Sequence, residues 1–251
     1  MVKILLNGAL GRMGKMITDA ADNVSCSVSA GVDVRAGSAE PRDDLFRSLS
    51  EVDRDFDVIV DFSRPEGLDD LLAFAVSRSK PVVLCTTGYT DEEISRIHEA
   101  AGKIAVFRSG NMSLGVNVLC HLVKEAAKKL GVNYDIEIIE RHHNQKKDAP
   151  SGTAIMLRDA AIAGRGEELH EVDGRGGRDC KRDKYEIGMH AVRGGTVVGI
   201  HEVGFYGDSE VVTLTHTAES RGVFAAGAIS AAKFIADKPA GMYDMDDLLA
   251  E

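Results

Sequence analysis

The sequence predicts an α/β protein built in two parts: a doubly wound parallel sheet, then a unit with a sheet of another kind. Two patterns carry this expectation. Up to residue 112, short apolar runs that suit buried strands alternate with helical stretches, the order that builds a parallel sheet. Between 186 and 218, three strand-like runs follow one another with only short turns between them, which predicts antiparallel pairing. The boundary is expected near Met112.

In chain order, the apolar run 2–6 reads as a strand and G-A-L-G-R-M-G over 8–14 as a glycine-rich turn leading to a helix over 15–21. Strand, glycine turn and helix together suggest a dinucleotide-binding unit, in which the backbone approaches a pyrophosphate at a helix N-terminus. The spacing departs from G-x-G-x-x-G, because Leu10 holds the middle position. The next strand, 28–32, ends at Asp33, where an acid would accept from a ribose diol. Residues 35–51 read as loop or short helix. Strands follow at 57–62, 81–87 and 104–107, with helices over 65–79 and 91–101; Thr90 and Glu93 form an expected capping box. Ligands of such sheets bind beyond the C-terminal strand ends, so Gly8, Asp33, Thr86, Thr87 and Asn111 are expected to share one crevice, a nicotinamide site.

The second part opens with an amphipathic helix over 115–130, stopped by Gly131. Tyr134, Ile136 and Ile138 alternate as in a strand, and a helix is expected over 153–163. Between them lies E-R-H-H-N-Q-K-K-D-A-P-S-G-T-A, residues 140–154. Asp148 and Ser151 both suit a helix N-cap, and Pro150 suits a helix start. Backbone N–H groups near Gly152 and Thr153, with Lys146 and Lys147, describe a pocket for a small carboxylate or phosphate beside a titratable histidine. No metal site is expected, because adjacent strand residues point to opposite faces. Residues 164–183, rich in glycine and charge, read as a mobile loop or lid, and 224–236 as a helix.

The chain has 251 residues, 44% hydrophobic and 28% charged, with a net charge of −10. That acidity argues against a nucleic-acid partner. Four widely spaced cysteines without a C-x-x-C suggest reduced thiols and a cytoplasmic protein. No leader is expected before the strand at 2–6, and no apolar run is long enough for a membrane span.

The block H-H-x-x-K-x-D-A-P-S-G-T-A resembles the signature of the dihydrodipicolinate reductases of the diaminopimelate route to lysine. The likeness runs nearly the full length, through G-A-L-G-R-M-G, T-T-G at 86–88, N-M-S-L-G-V-N at 111–117, H-A-V-R-G-G-T-V-V-G-I-H-E-V at 190–203 and S-R-G-V-F-A-A-G-A at 220–228. It implies a Rossmann domain over 1–112, a substrate and oligomerisation domain with an open mixed sheet over 113–218, and a final segment, 219–251, returning to the first domain. It implies a homotetramer formed through the open sheet, whose apolar face would otherwise be exposed.

The implied reaction adds a hydride to a cyclic unsaturated dicarboxylate, with His142 as general acid and Lys146 catalytic or carboxylate-binding. His143, Gly152 and Thr153 match carboxylate contacts. Cofactor contacts are implied at Gly8, Ala9, Leu10, Gly11, Arg12 and Met13, at Asp33, at Cys85, Thr86 and Thr87, and at Ser109, Gly110, Asn111 and Met112. Some members carry an arginine directly after the ribose-binding acid; here that position is Val34, with Arg35 next. NADH is therefore expected to serve at least as well as NADPH.

Overall fold

A computed structural model describes residues 1–21, 25–40 and 42–251. The chain divides into two compact units, one of residues 1–114 and 222–251, the other of residues 115–221.

The first unit is a seven-stranded sheet in the order β12-β6-β5-β4-β1-β2-β3, parallel throughout. Its strands are β1 (Val2–Asn7), β2 (Cys26–Val32), β3 (Leu45–Phe46), β4 (Val58–Asp61), β5 (Val82–Leu84), β6 (Ala105–Arg108) and β12 (Gly241–Tyr243). Apolar residues on both sides of each strand explain why the sheet is covered twice. Ile4, Leu6, Val58, Val60, Val83 and Phe107 pack under α1 (Arg12–Ala21) and α6 (Gly222–Ile235). Leu5, Ile59, Val82, Leu84 and Val106 pack under α2 (Leu68–Ser77) and α3 (Asp91–Ala101). The capping box expected at Thr90 and Glu93 forms. Pro65 opens a 3-10 turn ahead of α2 rather than the helix itself. The expected loop over 35–51 holds two 3-10 turns and β3, with Pro41 outside the described residues. The short helix α7 (Met245–Leu249) follows β12.

The second unit is a five-stranded sheet, order β11-β10-β7-β9-β8, made of β7 (Asp135–His142), β8 (His170–Asp173), β9 (Glu186–Arg193), β10 (Gly199–Tyr206) and β11 (Val211–Ala218). One face, with Ile136, Ile138, Ile187, Met189, Val203 and Phe205, is covered by α4 (Leu114–Leu130) and α5 (Gly152–Arg165). The sheet is mixed. β10 pairs antiparallel with β11 and β7, whereas β9 runs parallel to β7 and to β8. The antiparallel pairing expected between β9 and β10 is therefore absent, since β7 lies between them. Residues 194–198 span two inter-strand spacings, about 10 Å, and cross the end of β7. On the way Gly194 N–H donates to His142 O at 2.9 Å and Gly195 O accepts from Asn144 N–H at 3.2 Å.

Residues 164–183 are not wholly a loop, because β8 forms within them. Arg175 and Arg182 then tie the segment to the sheet: both reach Glu137 Oε1, at 2.6 and 3.1 Å, and Arg182 also bonds Asp135 at 2.9 Å. The face opposite the helices is mixed rather than broadly apolar. Val211, Thr213, Thr215 and Thr217 stand exposed on β11, in register with Tyr206, Gly204, Glu202 and Ile200.

In the first unit, Gly227 of α6 lies against the backbone of residue 112, so that a Cβ there would stand 1.6 Å from Met112 O. Gly227→Ala should lower stability by about 1–3 kcal/mol, whereas Gly152→Ala, with nothing within 4 Å of its Cβ position, should leave it within about 0.5 kcal/mol. Thermal unfolding of the two variants tests this; equal melting temperatures would contradict it.

Candidate active site

In the first unit, the parallel strands bring their C-terminal ends to one edge, and the sheet order reverses between β1 and β4. Gly8 ends β1 with φ +84°, and a Cβ on it would meet Phe62 O at 2.6 Å; one on Gly14 would meet Ala9 O at 2.4 Å. Only glycine lets the turn lie this close to β4 and to α1. The N–H groups of Gly8 and Ala9 donate to Val32 O at 2.8 and 3.1 Å, and that of Gly11 donates to Gly8 O at 3.0 Å. Leu10 N–H donates to Asp33 Oδ2 at 3.0 Å. The turn's own amides thus hold it in shape, and an anion at this helix would meet the first turn of α1, at Arg12 and Met13.

Asp33 is buried and also accepts from Arg35, at Nε (2.9 Å), Nη2 (2.9 Å) and the backbone N–H (3.0 Å). The Arg35 hydrogen bond holds the Asp33 carboxyl below its usual range. Across the reversal point, at the end of β4, sits Asp61, 1% exposed. Its carboxylate accepts from Asn7 Nδ2 (2.8 Å), Ser63 Oγ (2.6 Å), Ser63 N–H (3.2 Å) and Thr86 Oγ1 (2.7 Å). Thr86 is therefore fixed by β4, Thr87 is exposed, and burial pushes the Cys85 thiol up. Ser109 and Asn111 close a turn after β6, with Asn111 N–H donating to Ser109 Oγ at 3.2 Å, and Gly110 between them is exposed. The Met112 side chain is in the core.

In the second unit, the buried alternation of β7 continues past Ile136 and Ile138 to Glu140 and His142. The register sets His201 of β10 opposite Glu140 and Arg193 of β9 opposite His142. Glu140 is 1% exposed and accepts from His142 Nδ1 (2.6 Å), Ser151 N–H (3.1 Å) and both Arg193 Nη atoms (2.7 Å each). Ser151, not Asp148, caps α5, accepting from Ala154 N–H at 3.2 Å, and Pro150 precedes the cap. Ser151 Oγ is also 3.0 Å from His201 Nε2. Gly152 is exposed and Thr153 half-buried at the start of α5. Lys146 Nζ donates to both Asp148 oxygens, at 2.9 and 2.7 Å. His143 is half-buried at the end of the strand, and its carbonyl accepts from Lys146 N–H at 3.2 Å. One connection thus carries a cation, a helix N-terminus and a histidine held by a buried carboxylate, groups whose chemistry suits a small acid and proton exchange with it.

The family model for the N-terminal part of dihydrodipicolinate reductase matches residues 2–112, and that for the C-terminal part matches residues 115–249. The chain belongs to the dihydrodipicolinate reductase family. It is 46% identical over 250 residues to a 4-hydroxy-tetrahydrodipicolinate reductase of Clostridium novyi, covering 99% of this chain and 98% of the relative. Identity to that of Caldanaerobacter subterraneus subsp. tengcongensis is 47% over 251 residues, with coverage of 99% and 98%. Among solved structures, a dipicolinate-bound dihydrodipicolinate reductase from Paenisporosarcina sp. TG-14 shares the fold, with a TM-score of 0.79 at 22% identity over 97% of each chain. A probable dehydrogenase of Thermotoga maritima follows the same fold at a TM-score of 0.67 and 13% identity, over 98% of this chain and 92% of the other. Among the described residues, no helix is long and apolar enough to cross a membrane.

Four polar residues of these sites, Glu140, Arg193, His201 and Asp61, are not marked out by local sequence pattern as candidates. For Glu140 the one signal is that it occupies the next inward position after Ile136 and Ile138. Arg193 and His201 lie in the 190–203 block of the family likeness, but only the strand order makes them neighbours of Glu140. Burial, with His142 alongside, pulls His201 down to about 4, so it is neutral near pH 7. Its folded pKa lies below the unfolded one, so the unfolded chain takes up its proton first as pH falls. Stability should then drop between pH ~6.5 and about 4, by at most about 1.4 kcal/mol per pH unit. His201→Gln should shallow this slope in urea melts at pH 7 and pH 5; an unchanged slope would contradict the burial of a neutral histidine here.

Proposed function

We propose that the protein is an NAD(P)H-dependent reductase of the 4-hydroxy-tetrahydrodipicolinate type, acting in the diaminopimelate route of lysine biosynthesis. Its substrate on this reading is a cyclic unsaturated dicarboxylate, reduced to tetrahydrodipicolinate after loss of water. The observation that carries the reading is the β7–α5 connection, where His142, Lys146 and the Gly152–Thr153 helix start share one loop. The Paenisporosarcina relative is described with dipicolinate, itself a planar cyclic dicarboxylate.

The first unit fits a dinucleotide. Gly8 and Gly14 let the turn close against Phe62 O and Ala9 O at the start of α1, and Asp33 directly follows the next strand. Arg12 and Met13 would meet the pyrophosphate, Asp33 the adenosine ribose, and Thr86, Thr87, Ser109, Gly110 and Asn111 the nicotinamide end. Gly8, Ala9, Leu10 and Gly11 shape this turn, while Cys85 and Met112 back it from the core. When bound, the reduced nicotinamide supplies the hydride. His142 then gives a proton from Nε2 to the electron pair displaced within the ring system. Lys146 neutralises one carboxylate, which competes with Asp148 for Nζ, and Gly152, Thr153 and His143 hold the other. The four cysteines form no disulfide among the described residues, which suits a reducing cytoplasm.

The assay is oxidation of reduced cofactor with freshly generated cyclic substrate. His142→Gln should lower kcat by about 10²–10⁴ with modest change in KM. Lys146→Ala should raise KM roughly ten- to a hundredfold through loss of a charge-assisted bond. Both should retain cofactor affinity, read by fluorescence. Near-normal turnover of the histidine variant would remove it from the chemistry.

Asp33 repels a 2′-phosphate and Arg35, with 59% of its side chain exposed, offsets that charge. NADH should therefore be used at least as well as NADPH, and Arg35→Ala should impair NADPH more. A preference for NADPH above about tenfold, about 1.4 kcal/mol, would overturn the role given to Asp33.

We further read the helix-free face of the second sheet as the contact of a homotetramer. Light scattering at micromolar concentration should give four times the chain mass; a clean monomer would refute it.

A further inference from the structure

We propose that Glu140, clamped by Arg193, is the positioning residue for His142: it holds the imidazole by Nδ1–H and leaves Nε2 as the nitrogen that delivers the proton. This rests on the reading of His142 as proton donor.

A carboxylate 1% exposed is tolerated only if its charge is met by donors. Arg193 meets both Glu140 oxygens at 2.7 Å, a forked pairing that keeps the carboxylate ionised. An ionised carboxylate only accepts hydrogen bonds. The 2.6 Å contact with His142 Nδ1 therefore requires the hydrogen on Nδ1. His142 Nε2 bonds no other described residue, so it is the free end of the ring. Once it has released its proton, the imidazole remains as the Nδ1–H tautomer, and water returns the proton to Nε2. Hydride to a ring carbon and proton to the displaced electron pair balance the reduction.

The groups around His142 make Glu140 the decisive one. On β9 Arg193 is cationic; on the connecting loop Lys146 is cationic, with Asp148 on its Nζ. On β10 His201 is neutral, its ring edge-on to His142 at 5.0 Å. Burial and both cations work against the imidazolium, while Glu140 favours it. Glu140 also accepts from Ser151 N–H, so the carboxylate that orients the acid fixes the start of α5 as well. A fastener alone would explain the bonds to Arg193 and Ser151, but would leave the tautomer of His142 open.

The decisive measurement is 15N NMR of histidine-labelled protein, with Glu140→Gln and Arg193→Lys as variants. In the unaltered protein the neutral His142 ring should carry its proton on Nδ1. Glu140→Gln should lose the fixed tautomer. Its kcat should fall about 10- to 100-fold with little change in KM, and the alkaline fall-off of kcat should move to lower pH. Arg193→Lys, which keeps the charge but not the fork, should keep the tautomer and lose less activity. An Nε2–H tautomer in the unaltered protein overturns the proposal, even if neither variant folds. Normal turnover and pH profile in Glu140→Gln, with His142→Gln impaired, overturns it while leaving His142 as the acid. Normal turnover in both would remove the donor reading itself.

Discussion

A carboxylate taken out of water has to be surrounded by donors, and Glu140 finds its donors on three different elements. Its partners come from β7 itself, from β9 and from the cap of α5. Because the demand is electrostatic and buried, removing any partner leaves charge unmet, which costs more than an ordinary surface contact. The same bonds that satisfy this charge fix the His142 ring, the helix start and the strand end relative to one another. Mixed sheet order makes this possible. β9 and β10 flank β7, so the arginine and the second histidine arrive from opposite sides, and the 194–198 linker closes over the end of β7.

The first unit solves a comparable problem in another way. Its sheet is apolar on both faces, so polar function is confined to the strand ends. There Asp61 joins β1, β4 and β5 through Asn7 and Thr86, and Asp33 joins the glycine turn to Arg35. The glycine amides are consumed in holding the turn, which leaves the opening of α1 for an anion. Each unit therefore uses buried carboxylates to stiffen its strand ends.

Much of this was legible in the chain. Continuous apolar strands and glycine punctuation announced the parallel sheet, and the fold is of that kind. The family resemblance and the reductase activity it implies agree with relatives matched over nearly their full length. What was hidden depended on distant contacts. The turn between β9 and β10 has hairpin length, yet a strand from earlier in the chain sits between them. β8 lies in a segment whose charges suggested solvent, but Arg175 and Arg182 find Glu137 and bind it down. Arg193 and His201 became members of the site through strand order, which local pattern does not encode. Ser151 rather than Asp148 caps α5, a choice between two residues of equal propensity that Glu140 settles by accepting from Ser151 N–H.

On the proposed function, a cyclic dicarboxylate binds at the β7–α5 connection. Backbone amide NMR during titration with dipicolinate, with reduced cofactor present, tests it most directly. The largest shifts should fall on Gly152, Thr153, His143 and Lys146, with smaller ones on Arg193 and His201. Shifts that leave these amides still and gather on residues 164–183 or on β11 would contradict it.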